Sequence, residues 1–247
     1  MLDDSGQALP GMYPQSLSGL APSLLQLEGA RTLLRYRTYF RTEAVRSGDL
    51  LKTALSLRYQ VYCLEHNFED ASQHPDRLET DSYDAQSVHG VLFYRPWDRA
   101  VGTIRLILPQ EGLAPLPFHG MQERPGLDCA GDFPRATTAE VSRFAILRSF
   151  RPDKRECSRM PCLGLAQLLL RLSLTHGVTH WVALMPPALL RRLAMTGIEF
   201  LPVGPLVSYH GLRQPAGCEI ARMLGTLQRK NPAHWQIVTD GGRLARG

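Results

Sequence analysis

The stretch that most constrains the fold is residues 162–177, CLGLAQLLLRLSLTHG. It is a strongly apolar helical run whose leucines at 168–172 suit core packing, and Gly177 supplies a C-cap. VTHWVALM follows, a short apolar run that reads as a buried strand. PPALLRRLAMTG then reads as a helix with proline at its start and Gly197 at its end. A strand over 138–147 precedes the apolar helix. Strands alternating with helices in this way specify an α/β (α+β) chain built on a mixed central sheet flanked by helices.

The first half completes the order. RTLLRYRTYFRTEAV (31–45) reads as a first strand. Ser47 can cap a helix that carries Leu50, Ala54, Leu57, Val61 and Leu64 as a stripe, with Arg58 and Tyr62 one turn apart beside it. A polar loop, EDASQHPDRLETDSYDAQS, leads to a hairpin, VHGVLFYR and AVGTIRLIL joined by PWDR. Alternation on the second strand puts Val101, Thr103, Arg105 and Ile107 on one face and Gly102, Ile104, Leu106 and Leu108 on the other. Residues 109–136 have no clear period; a loop this long in a compact domain is usually functional or mobile. IEFLPVG and PLVSYHG read as two further strands, and ARMLGTLQRKNPAHWQIV as a terminal helix and its exit. The expected organisation is a tail over 1–25, one domain over 26–235 and a C-terminal tail over 236–247. At 247 residues, 44% of them hydrophobic, the chain can bury one sizeable core.

Several function classes drop out. No run of about 18 apolar residues exists, so no transmembrane span is expected. MLDDSGQALPGMYPQSLSG begins acidic and lacks the apolar segment of a signal peptide, which points to the cytoplasm. Five irregularly spaced cysteines read as buried or incidental thiols, and Cys63-x-x-His66 has no second ligand pair, so no metal is expected. No G-x-S-x-G elbow supports a serine hydrolase. Charge is uneven: residues 1–140 hold 13 Lys+Arg against 18 Asp+Glu, and residues 141–247 hold 15 against 5. A basic half invites an acidic partner. Nucleic acid is disfavoured, because no recognised nucleic-acid-binding motif is present.

TTAEVSRFAI (137–146) poses the functional question. It reads as a central strand, yet it holds Glu140 and Arg143, and charges are costly to bury unpaired. Their odd spacing would send them to opposite faces, unless a β-bulge slips the alternation by one residue. Asp81 and Asp84 in DSYD, Arg105 on the hairpin and Arg58 on the first helix complete a set of three acids and three arginines. Asp84 and Arg105 are expected to form a partly buried ion pair.

Taken in order, Arg58 and Tyr62, DSYD, VGTIRL and EVSRF resemble the acyl-homoserine-lactone synthases and the related N-acyl amino acid synthases. With GPLVSYHGLRQP and HWQIVTDGG, the chain resembles above all the acyltransferases associated with PEP-CTERM/exosortase systems. The similarity spans about residues 32–242. It implies the GNAT acyltransferase fold, with a splayed strand pair that admits a pantetheine arm. It implies long-chain acyl transfer from acyl carrier protein to the amine of an amino acid or similar acceptor. An acyl-homoserine-lactone synthase and a non-catalytic module that binds acyl carrier protein are the alternatives. Tyr62 replaces the phenylalanine common in the synthases, and Phe68 is the nearest aromatic to their usual tryptophan, which disfavours a lactone product.

By the same resemblance Glu140 is the general base or water-positioning acid, and Arg143 supports the site. Asp81 and Asp84 are the paired acids, Arg105 their partner, and Arg58 the arginine of the first helix. Phe144 and Trp181 would line the acyl channel. Gly164 and Ala166 match the G-x-A of the GNAT phosphate loop, but Pro161 stands where Arg or Gln is usual and removes an amide donor. That departure favours an acyl-phosphopantetheine donor on the carrier protein over free CoA, with no permanently bound cofactor. Arg155, Arg159 and Arg171 are the expected contacts for an acidic carrier.

Overall fold

The computed structural model describes residues 24–110, 112, 114–122, 133–150, 158–209 and 211–245. Helix α1 (Leu24–Tyr39) runs directly into strand β1 (Phe40–Ala44). The strand expected over 31–45 is therefore helical as far as Tyr39. The reason lies in spacing: Leu33, Tyr36 and Phe40, three and four residues apart, are all buried. Helix α2 (Gly48–Arg58) starts as expected, with Ser47 Oγ accepting from the Leu50 amide at 3.3 Å. It continues as a π-helical turn over Tyr59–Glu65. The wider turn shifts the phase of the stripe, so Val61 stays buried while Leu64 is exposed.

The hairpin is β2 (Ser87–Tyr94) and β3 (Arg99–Ile107), turned at Asp98 in the left-handed region. A short α3 (Pro117–Gln122) lies in the long loop ahead of β4 (Thr138–Ile146). Then come α4 (Met160–Thr175), β5 (His180–Met185) and α5 (Pro187–Thr196). The two strands expected over IEFLPVG and PLVSYHG shrink to the two-residue β6 (Leu201–Pro202) and β7 (Val207–Ser208). The long strand is β8 (Leu212–Glu219), on a run whose Pro215 and Gly217 read as breakers. Gly217 is required there: a Cβ would sit 2.0 Å from the Phe133 ring.

The C-terminal segment is two helices, α6 (Ile220–Lys230) and α7 (Pro232–Val238), broken at Asn231–Pro232. The tail expected over 236–247 is corrected as far as residue 245. Ile237 and Val238 are fully buried, the Ile237 carbonyl accepts from Gln167 Nε2 at 2.7 Å, and Asp240 pairs with Arg37 at 2.7 Å. This segment docks on α1 and α4 and belongs to the core.

The sheet order is β1-β2-β3-β4-β5-β8-β6, with β7 on β8. Every neighbouring pair is antiparallel except β4 and β5, which the α4 crossover makes parallel. The expected alternation on β3 holds. Gly102 faces Leu165 of α4, whereas Arg105 faces the side covered by α2. The expected G-x-A phosphate site at 164–166 is not formed by Gly164. This residue is four positions into α4, beyond its free N-terminal amides, and a Cβ there would lie 2.7 Å from the Tyr36 hydroxyl. It is a close-packing glycine between helix and sheet.

Candidate active site

Two irregularities in β4 build the site. Arg105 pairs with Ser142 and Thr103 with Ala145, so Arg143 and Phe144 stand opposite the single residue Ile104. This is the β-bulge that the odd spacing required, and Arg143 adopts φ +51° within it. The bulge turns Arg143 to the same cavity as Glu140. Secondly, β4 pairs with β5 only through Thr138, Ala139 and Glu140. Beyond Glu140 the two strands have no ladder between them. A cavity of about 750 Å³ fills the divergence, lined by Val141 to Ile146 on one side and Trp181, Ala183, Leu184 and Met185 on the other.

The spacing in DSYD has a local cause. Asp81 Oδ1 accepts from the Tyr83 amide and Asp84 Oδ2 from the Asp81 amide, both at 2.9 Å, a reciprocal capping box on the turn Ser82–Gln86. The turn holds both carboxylates towards the sheet. Arg105 Nη1 reaches Asp81 at 2.5 Å and Asp84 at 2.7 Å, and Arg105 Nε donates to Ser142 Oγ at 2.8 Å. Arg58 Nη1 donates to Asp84 at 2.6 Å and Arg58 Nε to Glu79 at 2.5 Å. Arg143 grips Glu79 with two bonds, at 2.7 and 3.0 Å, and reaches Asp81 at 3.0 Å and Glu69 at 3.3 Å. Its guanidinium lies 5.0 Å from the Tyr62 ring centre.

Glu79 is the hub, only 1% exposed and bound by two arginines. Burial pushes its carboxyl up, but the bonds from Arg143 and Arg58 outweigh burial and hold it at about 2. Burial likewise raises Asp84, and Arg58 and Arg105 overcome it, holding it well below the usual carboxylate range. His89 is lowered by burial and by Arg58 to about 4, so it is neutral at pH 7. Glu140 differs from all of these. It is buried, and among the described residues it makes no ion pair and one hydrogen bond, from the Phe118 amide at 2.7 Å. Burial raises it to about 8, against the pull of that amide, Arg105 and Arg143. One carboxyl is thus left with a pKa near neutrality beside two, Glu79 and Asp84, that are locked as anions.

The expected residues are therefore largely brought together. Arg58, Asp81, Asp84, Arg105 and Arg143 share one network, and Glu140, Tyr62, Phe144, Ala166 and Trp181 line the cavity with it. Trp181 is fully buried and bonds Ser173 Oγ through Nε1 at 2.8 Å. Arg159 is exposed at the start of α4. Arg171 is twelve residues further along, about 18 Å of helix, with Nη1 against the Thr42 carbonyl, so it does not share a surface with Arg159. Arg155 lies outside the described residues. Three participants escaped the sequence reading: Glu79, Glu69 and the Phe118 amide. Glu79 stands two residues before Asp81 in LETDSYD, an acid-rich signal within a loop that has no period.

Residues 57–157 match the family model described as an acetyltransferase (GNAT) domain. That match, over about two fifths of the chain, supports an acyltransferase domain of the GNAT type. The matched stretch contains the whole arginine–carboxylate network and Glu140. None of the curated proteins matches the chain. Among solved structures, the acyl-homoserine-lactone synthase LasI superposes with a TM-score of 0.55 at 20% identity, over 72% of this chain and 88% of LasI. BjaI, a CoA-dependent acyl-homoserine lactone synthase solved with SAM and isopentyl-CoA, gives 0.54 at 20% identity over 83% and 90%. FeeM, an N-acyl amino acid synthase from uncultured soil microbes, gives 0.51 at 12% identity over 77% and 96%. At these identities the likeness establishes the fold. The open mixed sheet flanked by helices is the shared framework. Among the described residues no helix is long and apolar enough to cross a membrane.

Proposed function

We propose that this GNAT acyltransferase moves a long-chain acyl group from the phosphopantetheine thioester of acyl carrier protein to the amine of an amino acid or similar acceptor. The observation that carries the reading is the two-sided cavity. Its side on β5, α5 and the segment after α5 is apolar, formed by Trp181, Ala183, Leu189, Leu193, Ile198 and Phe200, which suits an acyl chain. Its other end is the arginine–carboxylate network with Glu140 beside it. Between them, the edges of β4 beyond Glu140 and of β5 beyond Val182 face each other without a shared ladder, leaving room for the amides of a pantetheine arm.

The chemistry follows. The amine lone pair attacks the thioester carbonyl carbon, the C–N bond forms, and the C–S bond breaks. The nitrogen must lose a proton and the departing sulfur must gain one. Glu140, directly or through a water, is the group placed to carry it, because a pKa of about 8 suits both acceptance and return near neutral pH. Arg143, Arg105 and Arg58 hold the acids around it in place. Resident cofactors and metals have no part in this reading. The words GPLVSYHGLRQP, which span β7 and the start of β8, and HWQIVTDGG, which spans α7 and the turn after it, support assignment to the PEP-CTERM/exosortase-associated group.

Purified chain supplied with long-chain acyl carrier protein and a panel of amines should yield N-acyl products by mass spectrometry, together with free carrier thiol. Binding of the acyl carrier without any product from any amine would leave only a carrier-binding module and overturn the proposal. Formation of an acyl-homoserine lactone from S-adenosylmethionine, with no product from other amines, would replace it with a signal synthase.

A further inference from the structure

We propose that Arg213 binds a carboxylate on the acceptor, so that the acceptor is an amino acid or another amine that carries an acid group; this rests on the N-acyl-transfer reading above. Among the described residues four arginines line the cavity, and they differ sharply. Arg105 and Arg143 are committed to carboxylates, and Arg192 is exposed. Arg213 is only 8% exposed, yet among the described residues no carboxylate lies within ion-pair distance. Its hydrogen bond runs from Nη1 to the adjacent Leu212 carbonyl at 3.2 Å, and its guanidinium rests 4.9 Å from the Phe68 ring centre. Burial lowers its pKa, with Tyr62 the group that opposes the shift.

A buried guanidinium is costly without an anion. Its planar fork of N–H donors matches a carboxylate with two parallel bonds. The backbone beneath it is shaped to keep it there. Gly211 has φ +96°, and a Cβ on it would come within 3.1 Å of Arg213 Nη1, so glycine permits both the turn and the close approach. Elsewhere the cavity lining carries acids. There the lining presents the carboxylates of Glu69, Glu79 and Asp81, beside Arg105 and Arg143. An acceptor with its amine towards the acids and its carboxylate on Arg213 would satisfy both, with Tyr62, Phe68 and Tyr209 available to its side chain.

The test uses the full chain with acyl carrier protein as donor and two acceptor pairs, L-phenylalanine with phenethylamine and L-tyrosine with tyramine. The wild-type protein should acylate the acids with the higher kcat/KM. Arg213→Ala should raise the KM for the acids by about 10- to 100-fold and leave the carboxylate-free amines unchanged, with Arg213→Lys between the two. Equal loss on both members of each pair, or a raised KM for the donor alone, would overturn the assignment. If the variants do not fold, the wild-type preference decides, since a protein that favours phenethylamine and tyramine cannot be using Arg213 in this way. Failure to acylate any amine, acid or not, would instead sink the N-acyl-transfer reading itself.

Discussion

The two halves of the sheet, on either side of the gap between β4 and β5, have opposite characters. From α2 to β4 the chain supplies every charge of the network: Arg58, Glu69, Glu79, Asp81, Asp84, Arg105 and Arg143. From β5 onwards it supplies the apolar wall of Trp181, Ala183, Leu193, Ile198 and Phe200, with Arg213 as its one buried cation among the described residues. The charged half is locked by its own pairings before any substrate arrives. The apolar half makes few directional demands and leaves space. Reaction geometry and chain accommodation are therefore separable, one built on each strand of the parted pair.

The largest expected effect breaks the charged half at its chemistry. Glu140→Gln keeps the shape and removes the ionisable carboxyl, and turnover should fall by about 10²–10⁴-fold. The ratio of wild-type to variant kcat/KM should climb with pH and level off near 8, where Glu140 ionises. A flat ratio would show that the carboxyl does not carry the proton. Stability should report the same group with the reverse slope. The raised pKa means that Glu140 stabilises the fold fully below its ordinary 4.5, and that this contribution is lost as pH rises through about 8. Melting temperatures should therefore show the wild type losing ground to the Gln variant between pH 5 and 8.

Next is the hub. Glu79→Ala strips a shared partner from Arg58 and Arg143, both largely buried, and should cost about 3–5 kcal/mol in denaturant titration. Arg105→Ala should be of similar size, because it leaves Asp81 and Asp84 without that counter-charge. The lowered pKa of Glu79 has the opposite linkage: its contribution is present above 4.5 and lost as pH falls through about 2. A cost below about 1 kcal/mol for Glu79→Ala would mean the network is solvated and the contrast between the halves is overdrawn.

The apolar half should respond in specificity. Ala183 is buried on β5 and lines the cavity beside Trp181. Ala183→Phe fills part of that space at a stability cost of about 1–3 kcal/mol. Long-chain donors should lose activity, while short-chain thioesters keep most of it. Equal losses for both would place the acyl chain elsewhere.

The charged half was also the more legible in sequence. The hairpin announced itself by alternation and a turn, and the bulge by the odd spacing of Glu140 and Arg143, since two charges in a central strand need a common face. The capping box in DSYD is local, so its spacing survives in the sequence. Glu79 was missed because its role comes from two arginines 21 and 64 residues away, and nothing in a loop without period marks that. The later half was harder. Pro215 and Gly217 hid β8, although Gly217 is there to clear the Phe133 ring. Gly164 looked like a phosphate-loop residue because close packing on Tyr36 and anion binding call for the same amino acid. Arg213 went unmarked because its meaning is a missing partner, which only three dimensions reveal.

The smallest effect concerns how the donor arrives. The basic second half was expected to meet the carrier through Arg155, Arg159 and Arg171. Arg171 is held against Thr42 well along α4, so of the expected contacts among the described residues Arg159 is the exposed one at the α4 N-terminus, the end nearer the cavity-lining Cys162 and Ala166. A rim charge acts mainly on association, and it fades once charges are separated by more than the screening length, about 8 Å at physiological ionic strength. Arg159→Glu should raise the KM for acyl carrier protein by about 2- to 5-fold at low salt. The penalty should shrink as salt is added, and a short pantetheine thioester, which has no acidic protein surface to steer, should be unaffected. If the short thioester suffers equally, Arg159 contacts the pantetheine arm itself. If neither donor responds, the carrier approaches over another face, and the parting of β4 and β5 must be entered from the side of the acidic loop.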